Sequence, residues 1–199
     1  MKKILTYLYG LERRGIKVGL DHTEQLLEKV RNPHFCFPSI HVSGTNGKGS
    51  TCAMIASIFR EANLKIGLYT SPHLLHFNER IRVNGIPISD EDIIKFVKRY
   101  RDSFDDIPVT FFEATTALAF WYFKKSSVDI AVIETGLGGR LDSTNVLSSN
   151  LAVITPISLD HQHLLGRDLR KIASEKGGII KYKIPVVIAP QDQKAAHVL

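Results

Sequence analysis

Between His41 and Thr51 the chain reads His-Val-Ser-Gly-Thr-Asn-Gly-Lys-Gly-Ser-Thr, a run whose residue types suit the capture of a phosphate group. Gly44, Gly47 and Gly49 let the backbone turn tightly and bring N–H groups toward one point. Thr45 and Asn46 fill the interval, Lys48 adds a full positive charge, and Ser50 and Thr51 place hydroxyls at the start of the next segment. That segment carries Met54, Ile55, Ile58, Phe59 and Ala62 at helical spacing, and the positive end of such a helix points back at a bound anion. Apolar residues 40–42 ahead of the loop complete a strand–loop–helix order. The spacing departs from the common phosphate loop: two residues separate Gly44 from Gly47 where four are usual, and Gly49 falls between Lys48 and Ser50. The alternative is a glycine-rich turn with an exposed lysine; the density of glycine, lysine and hydroxyl favours nucleotide phosphate binding.

Other candidates stand where apolar runs end. Glu134 terminates the run 128–133, so its carboxylate emerges at a sheet edge, the place of an acid that holds Mg²⁺ against nucleotide phosphates. An ion pair with Arg140 or a helix cap is the competing reading. Asp160-His161 follows another such run; a neutral imidazole there is a metal ligand or an ordinary histidine with equal weight. Ser71 either ligates Mg²⁺ or caps the turn before Pro72, and taken alone the cap is preferred. Lys176, in Glu175-Lys176-Gly177-Gly178, reads from its neighbours as a solvated lysine, and Phe111, Phe112, Phe120, Trp121 and Phe123 read as core.

These residues require a scaffold. The patterns predict helices over 1–14, 22–30, 89–100, 113–125 and 169–182, besides the one after the phosphate loop. Strands are predicted over 64–70, 128–133, 151–155 and 186–189, a hairpin around Asn84-Gly85, and a loop over 102–108. Continuous apolar strands separated by helices predict an α/β fold: a P-loop-type three-layer domain, its sheet mostly parallel and its helices on both faces. The polar residues just after the strands then share one crevice at the carboxyl ends.

Composition narrows the partners. A length of 199 residues allows one sizeable core or up to one and a half domains, and 44% hydrophobic residues with 23% charged describe a globular chain. The net charge of +6 is spread among acids without interleaved aromatics, which fits small anionic ligands better than nucleic acid. No stretch approaches the roughly 20 apolar residues that span a bilayer, and the N-terminal apolar run is broken by Glu12, Arg13 and Arg14, so neither membrane partner nor signal peptide is expected. Cys36 and Cys52 show no metal or redox spacing, which points to a reducing cytoplasm.

Several stretches together resemble, in order, the N-terminal part of the folylpolyglutamate synthase/dihydrofolate synthase family of the Mur ligase superfamily. They are Gly44-Thr-Asn-Gly-Lys-Gly-Ser-Thr51, Ser71-Pro-His-Leu74, Phe77-Asn-Glu-Arg-Ile-Arg82, Glu134-Thr-Gly-Leu-Gly-Gly-Arg-Leu-Asp142 with Thr144-Asn145, Leu159-Asp-His161 and Glu175-Lys176. The resemblance covers nearly the whole chain, and the Ser-Pro-His-Leu and Gly-Leu-Gly-Gly-Arg-Leu-Asp stretches favour the folate branch over peptidoglycan ligases. It implies an ATP-dependent ligation of L-glutamate to a folate or dihydropteroate carboxylate through an acyl phosphate.

It also implies roles. Thr45, Asn46, Gly47 and Lys48 would hold ATP phosphates within the loop Gly44 to Thr51. Ser71 and Glu134 would bind one Mg²⁺, and His161 a second with Glu134. Lys17, Val18, Gly19, Thr110, Leu141, Asp142 and Ser143 would contact the pteroate, and Lys176 would be carbamylated to N6-carboxylysine. Lys48, Glu134, His161 and Lys176 form the expected catalytic set. Asp21-His22 and Gly177 depart from the family, which commonly has arginine and alanine there. Family members are longer, monomeric, and carry a Rossmann-like C-terminal domain, so residues 1–199 are expected to be an incomplete N-terminal ATP-binding domain. A peptidoglycan-type ligase and a chain that only binds nucleotide are the alternatives; a GTP switch lacks its Asn-Lys-x-Asp motif here.

Overall fold

The computed structural model describes residues 1–15, 19–159 and 168–199. The apolar runs become β1 (Ser39–Ser43), β2 (Ile66–Tyr69), β3 (Ile81–Val83), β4 (Ile86–Pro87), β5 (Ile130–Glu134), β6 (Leu151–Ile154) and β7 (Val186–Ile188). They form one seven-stranded sheet in the order β4-β3-β2-β5-β1-β6-β7. Strands β2, β5, β1, β6 and β7 run parallel, while β3 pairs antiparallel with both β2 and β4. The β3–β4 turn is the expected hairpin: Asn84 and Gly85 both take positive φ, 51° and 82°, as a tight two-residue turn demands.

Alternation along the strands separates two apolar layers. Ile40, Val42, Val132 and Val153 point to one face, where Cys52, Ile55, Ala56 and Phe59 of α3 (Lys48–Glu61) cover them. Ala131 and Ile133 point to the other, under α5 (Phe111–Ser126), with α1 (Lys2–Gly10), α2 (Asp21–Lys29) and α4 (Asp90–Asp106) joining the same cluster. Ala152 and Ile154 pack beneath α6 (Leu169–Gly177) and α7 (Gln193–Ala196). The three-layer α/β expectation is met. Among the described residues no helix is long and apolar enough to cross a membrane.

Three element boundaries differ from the sequence reading. The first helix gives way at Gly10 to a 3₁₀ turn over Leu11–Arg14, whose Arg14 guanidinium donates to the carbonyls of Phe104 and Val109 at 2.6 and 3.1 Å. Helix α4 runs through the predicted loop to Asp106, because Phe96, Tyr100 and Phe104 continue one buried stripe at i+4 spacing. Helix α6 stops at Gly177, five residues early, and α7 was not expected at all.

Position follows from register. β5 and β6 flank β1, with Val42 opposite Glu134 and Ser43 opposite Ile154. The ends of these strands therefore deliver the 44–50 loop, Glu134 and residues 155–158 to one point.

Candidate active site

At Gly44 φ is +142°, and a Cβ there would lie 1.9 Å from Thr155 Oγ1 and 2.9 Å from the Thr155 carbonyl oxygen, so only glycine fits. The loop then leans on the exit of β6. The Thr45 and Asn46 amides both donate to the Pro156 carbonyl, at 3.0 and 3.2 Å. Thr45 Oγ1 donates to the Ser158 carbonyl at 3.1 Å and Asn46 Nδ2 to Ser158 Oγ at 3.2 Å. The Thr45 and Asn46 amides are thus engaged within the fold. The donors left are those of the first turn of α3, together with the Lys48 ammonium. Gly47, with φ +80°, opens that turn with no side-chain cap, and the amides of residues 47–50 take no hydrogen bond among the described residues. Ser50 and Thr51 sit in the same turn, Ser50 exposed and Thr51 half-buried, its amide donating to Gly47 at 2.9 Å.

Glu134 is 4% exposed, and its Oε2 accepts from the Ser71 amide at 3.0 Å. A Cβ on Gly49 would come within 3.6 and 3.8 Å of its two oxygens, so this glycine brings the helix start against the carboxylate. Burial pushes the Glu134 carboxyl above its usual range, opposed by the Ser71 amide and by the charges of Lys48 and Arg80. Arg140 pairs with Glu175, Nε to Oε1 at 3.5 Å, and not with Glu134, which removes the competing ion-pair reading. A buried carboxylate with a serine hydroxyl beside a phosphate cradle is a donor set that fits Mg²⁺, which takes few protein oxygens and completes its shell from phosphate and water. The described residues hold no group of three or more His, Cys, Asp or Glu side chains arranged for a metal. His161, Lys17 and Val18 lie outside the described residues.

Lys176 departs most from its local sequence. It is 2% exposed, and its Nζ donates to the Gly44 carbonyl at 2.7 Å, so it props the phosphate loop from beneath. Close packing of α6 against the 136–145 segment puts it there. A Cβ on Gly139 would lie 2.7 Å from the Lys176 carbonyl oxygen, and one on Gly178 would lie 2.4 Å from Arg140 Cβ. The Arg140 amide donates to Glu175 at 2.8 Å, and Asn145 Nδ2 bridges the carbonyls of Arg140 and Gly178 at 2.9 and 3.2 Å. The same contact at Gly178 ends the helix early.

A cavity of about 1050 Å³ opens between these elements, lined by Gly19, Thr45, Lys48, Ser71, Arg80, Thr110, Phe111, Leu141, Asp142 and Ser143 among others. The phosphate side and the expected pteroate side thus meet in one space. Within it the polar groups differ in freedom. Thr110 Oγ1 accepts from the Glu113 amide at 3.3 Å while the Glu113 carboxylate accepts from the Thr110 amide at 2.6 Å, a capping box that starts α5. Asp142 Oδ2 accepts from the Gly136 and Leu137 amides at 2.9 and 2.8 Å, and Oδ1 from the amide and hydroxyl of Thr144. Its carboxylate is first the anchor of its own loop, and burial pushes its pKa up. Ser143 Oγ shares a 2.7 Å hydrogen bond with Thr116 Oγ1. Behind them, His41 Nε2 meets Thr144 Oγ1 at 2.8 Å, and burial drives the imidazole down to about 3, so it is neutral. Arg80 and Glu113 line the cavity without having been assigned roles from sequence; Arg80 lies inside one of the family stretches, which was the only available signal.

The Mur ligase middle-domain family matches residues 42–199. The dihydrofolate synthase/folylpolyglutamate synthase of Bacillus subtilis (strain 168) is 44% identical over 201 residues, covering 98% of this chain and 47% of that protein. Among solved structures, the apo form of L. casei FPGS superposes with a TM-score of 0.94 at 40% identity, covering 99% of this chain and 50% of that one. E. coli FolC in complex with DHPP and ADP superposes at 0.90 with 35% identity, covering 98% and 48%. The chain spans about half the length of the relatives it matches.

Proposed function

This chain belongs to the Mur ligase middle-domain family, and from that membership we propose that it forms the ATP-binding and carboxylate-activating part of a folylpolyglutamate/dihydrofolate synthase. The observation that carries this reading is the meeting of the 44–50 loop with Thr110 and residues 141–143 around one cavity, which Ser71 also lines with its amide donating to Glu134. The likeness to a FolC structure in complex with DHPP and ADP supports it. So does the likeness to a dihydrofolate synthase/folylpolyglutamate synthase.

The reaction joins a folate or dihydropteroate carboxylate to L-glutamate. A carboxylate oxygen attacks the γ-phosphorus of ATP, the bond to the bridging oxygen breaks, and ADP leaves. The glutamate amine then attacks the acyl carbon, phosphate leaves, and the amine proton passes to solvent. The mixed anhydride supplies the leaving group that a free carboxylate lacks. Lys48 and the amides of the first α3 turn hold the phosphates, as a helix start does for anions. Glu134 and Ser71 would hold a Mg²⁺, and His161 with Glu134 a second; such ions would supply neutralisation of the phosphate charge. Gly19, Thr110, Leu141, Asp142 and Ser143, with Lys17 and Val18, form the proposed pteroate wall. Lys176 is proposed to carry a carbamate, which would replace the cation under Gly44 with an anion able to act beside Mg²⁺. Residues 1–199 are read as one ATP-binding domain of Mur ligase type, acting as a monomer in the cytoplasm.

Calorimetric titration tests the reading. Mg²⁺–AMPPCP is expected to bind the chain, and dihydropteroate or tetrahydrofolate to bind in its presence. Absence of nucleotide binding, or a preference for UDP-muramoyl peptides over pteroates, would overturn it.

A further inference from the structure

Arg80 ends the 3₁₀ turn Phe77–Arg80 just before β3. It is 8% exposed, yet it lines the cavity beside Lys48 and Ser71. Two contacts fix the guanidinium. Its Nε donates to His73 Nδ1 at 2.8 Å, and its central carbon stands 5.2 Å from the centroid of the Phe111 ring. That ring is itself packed by Tyr9 and Phe77, at 5.4 and 6.0 Å between centroids.

Neither contact uses the terminal nitrogens, which make no hydrogen bond or ion pair with the described residues. A guanidinium presents its donors as a planar fork matched to a carboxylate, and although the Glu134 carboxylate feels the Arg80 charge it accepts none of that fork's hydrogen bonds. The other cations nearby are committed or solvated. Lys176 donates to Gly44, Lys171 is exposed, and Lys48 stands at the phosphate loop.

We propose that Arg80 receives the reacting carboxylate of the substrate through its two terminal nitrogens and holds it against the nucleotide. This rests on the ligase reading above. In that reaction one anion must approach another, the triphosphate, and a cation separate from the phosphate-holding Lys48 must offset their repulsion. A fork held on Phe111 and His73 also orients the carboxylate, which a mobile lysine would not.

The test compares an acid with its neutral isostere. The whole chain, loaded with Mg²⁺–AMPPCP, is titrated with 7,8-dihydropteroate and with its carboxamide. The wild type is expected to prefer the acid by at least about tenfold, and Arg80→Ala to lose about 10- to 100-fold for the acid, the range for hydrogen bonds to a charged group. Carboxamide and AMPPCP affinities are expected to stay within about twofold, whereas a merely structural arginine would weaken acid and amide alike. Arg80→Lys, which keeps the charge and loses the fork, is expected to fall between, and it carries the test if the alanine variant does not fold. Equal loss for acid and amide, unchanged acid affinity in a folded variant, no wild-type preference for the acid, or a loss confined to AMPPCP would each overturn the proposal. Wild-type chain that binds neither pteroate would instead overturn the ligase reading on which it rests.

Discussion

Gly44→Ala is the most demanding perturbation of the phosphate loop, because its consequences separate into two parts. The first is local. With φ at +142°, an L side chain at this position is strained by about 1–2 kcal/mol. The second is the encounter with Thr155: the new methyl would lie 1.9 Å from Oγ1, 2.9 Å from the carbonyl oxygen and 3.0 Å from Cβ. The hydroxyl donates to Ser43 at 3.3 Å and could turn away at small loss, but the carbonyl belongs to the strand exit and also accepts from Gln191 at 3.1 Å. Overpacking of this kind adds about 1–3 kcal/mol, so the expected total is about 2–5 kcal/mol. Thr155→Ala removes the Oγ1 contact and leaves the backbone one. On its own it should cost about 0.5–1 kcal/mol, and combined with Gly44→Ala it should restore part of the steric loss but none of the φ strain. Urea unfolding of the two single variants and the double variant measures each part, and AMPPCP titration reads the loop, where Gly44→Ala is expected to weaken binding at least about tenfold by displacing the first α3 turn. A Gly44→Ala variant within about 0.5 kcal/mol of wild type would refute the packing argument, being no more than an ordinary surface change.

Lys48→Ala is expected to weaken AMPPCP binding about 100-fold with no change in unfolding midpoint, since its ammonium serves a ligand and not the fold; calorimetry and urea curves check the pair. Lys176→Ala is expected to lose activity in the complete enzyme and to regain part of it with added short carboxylic acids, and a carbamate should appear in the intact mass of wild-type protein kept in bicarbonate; neither signal would leave Lys176 as a prop for Gly44 alone. Asp142→Asn should lower stability by about 2–4 kcal/mol, because an amide cannot accept from the four donors that now converge on the carboxylate. His41 and His34 are pushed by burial from 6.5 to about 3 and about 4, so both are neutral in the fold. Their folded values are depressed, so the stability they contribute is complete above the unfolded value and is lost as pH falls below it. Urea unfolding should therefore weaken by about 2–4 kcal/mol between pH 6.5 and pH 5, and less in a His41→Gln variant; a flat profile would sink the assignment.

What the sequence made legible was what depends on short spans of chain. The parallel strands are runs of Val, Ile, Leu and Ala with turn residues at their ends, and each was placed to within a few residues. Asp102, Asp105 and Asp106 read as a loop from sequence, but the packing of Phe104 outweighs that polarity and carries α4 onward, with Asp105 paired to Arg14 at 2.8 Å. Helix α6 was drawn too long for the opposite reason. Ile179 and Ile180 keep an apolar pattern going, but Gly178 must pass against the Arg140 backbone, and no pattern within the helix carries that information.

The site divides along the same line. Gly44, Lys48 and Glu134 could be singled out as candidates because a glycine-rich loop and a strand-terminal acid are local arrangements. Thr45 and Asn46 could not be seen turning their amides to Pro156, a residue more than a hundred positions away. Lys176 shows the limit most clearly: beside two glycines it reads as a solvated lysine, whereas Gly178 and Gly139 are what let the helix close down and bury it under Gly44. The polar side chains expected to meet the pteroate have a comparable second duty. Asp142 fastens residues 136 and 137, Thr110 caps α5, and Ser143 is bound to Thr116, so the wall is rigid before any ligand arrives. A wall whose hydrogen-bonding capacity is already engaged recognises a flat ring chiefly by shape, and it leaves the recognition of charge to side chains with donors in reserve. In this cavity those include the amides and ammonium of the α3 start and the guanidinium of Arg80, which is why the acid-against-amide comparison addresses the chemistry of the site and not only one residue.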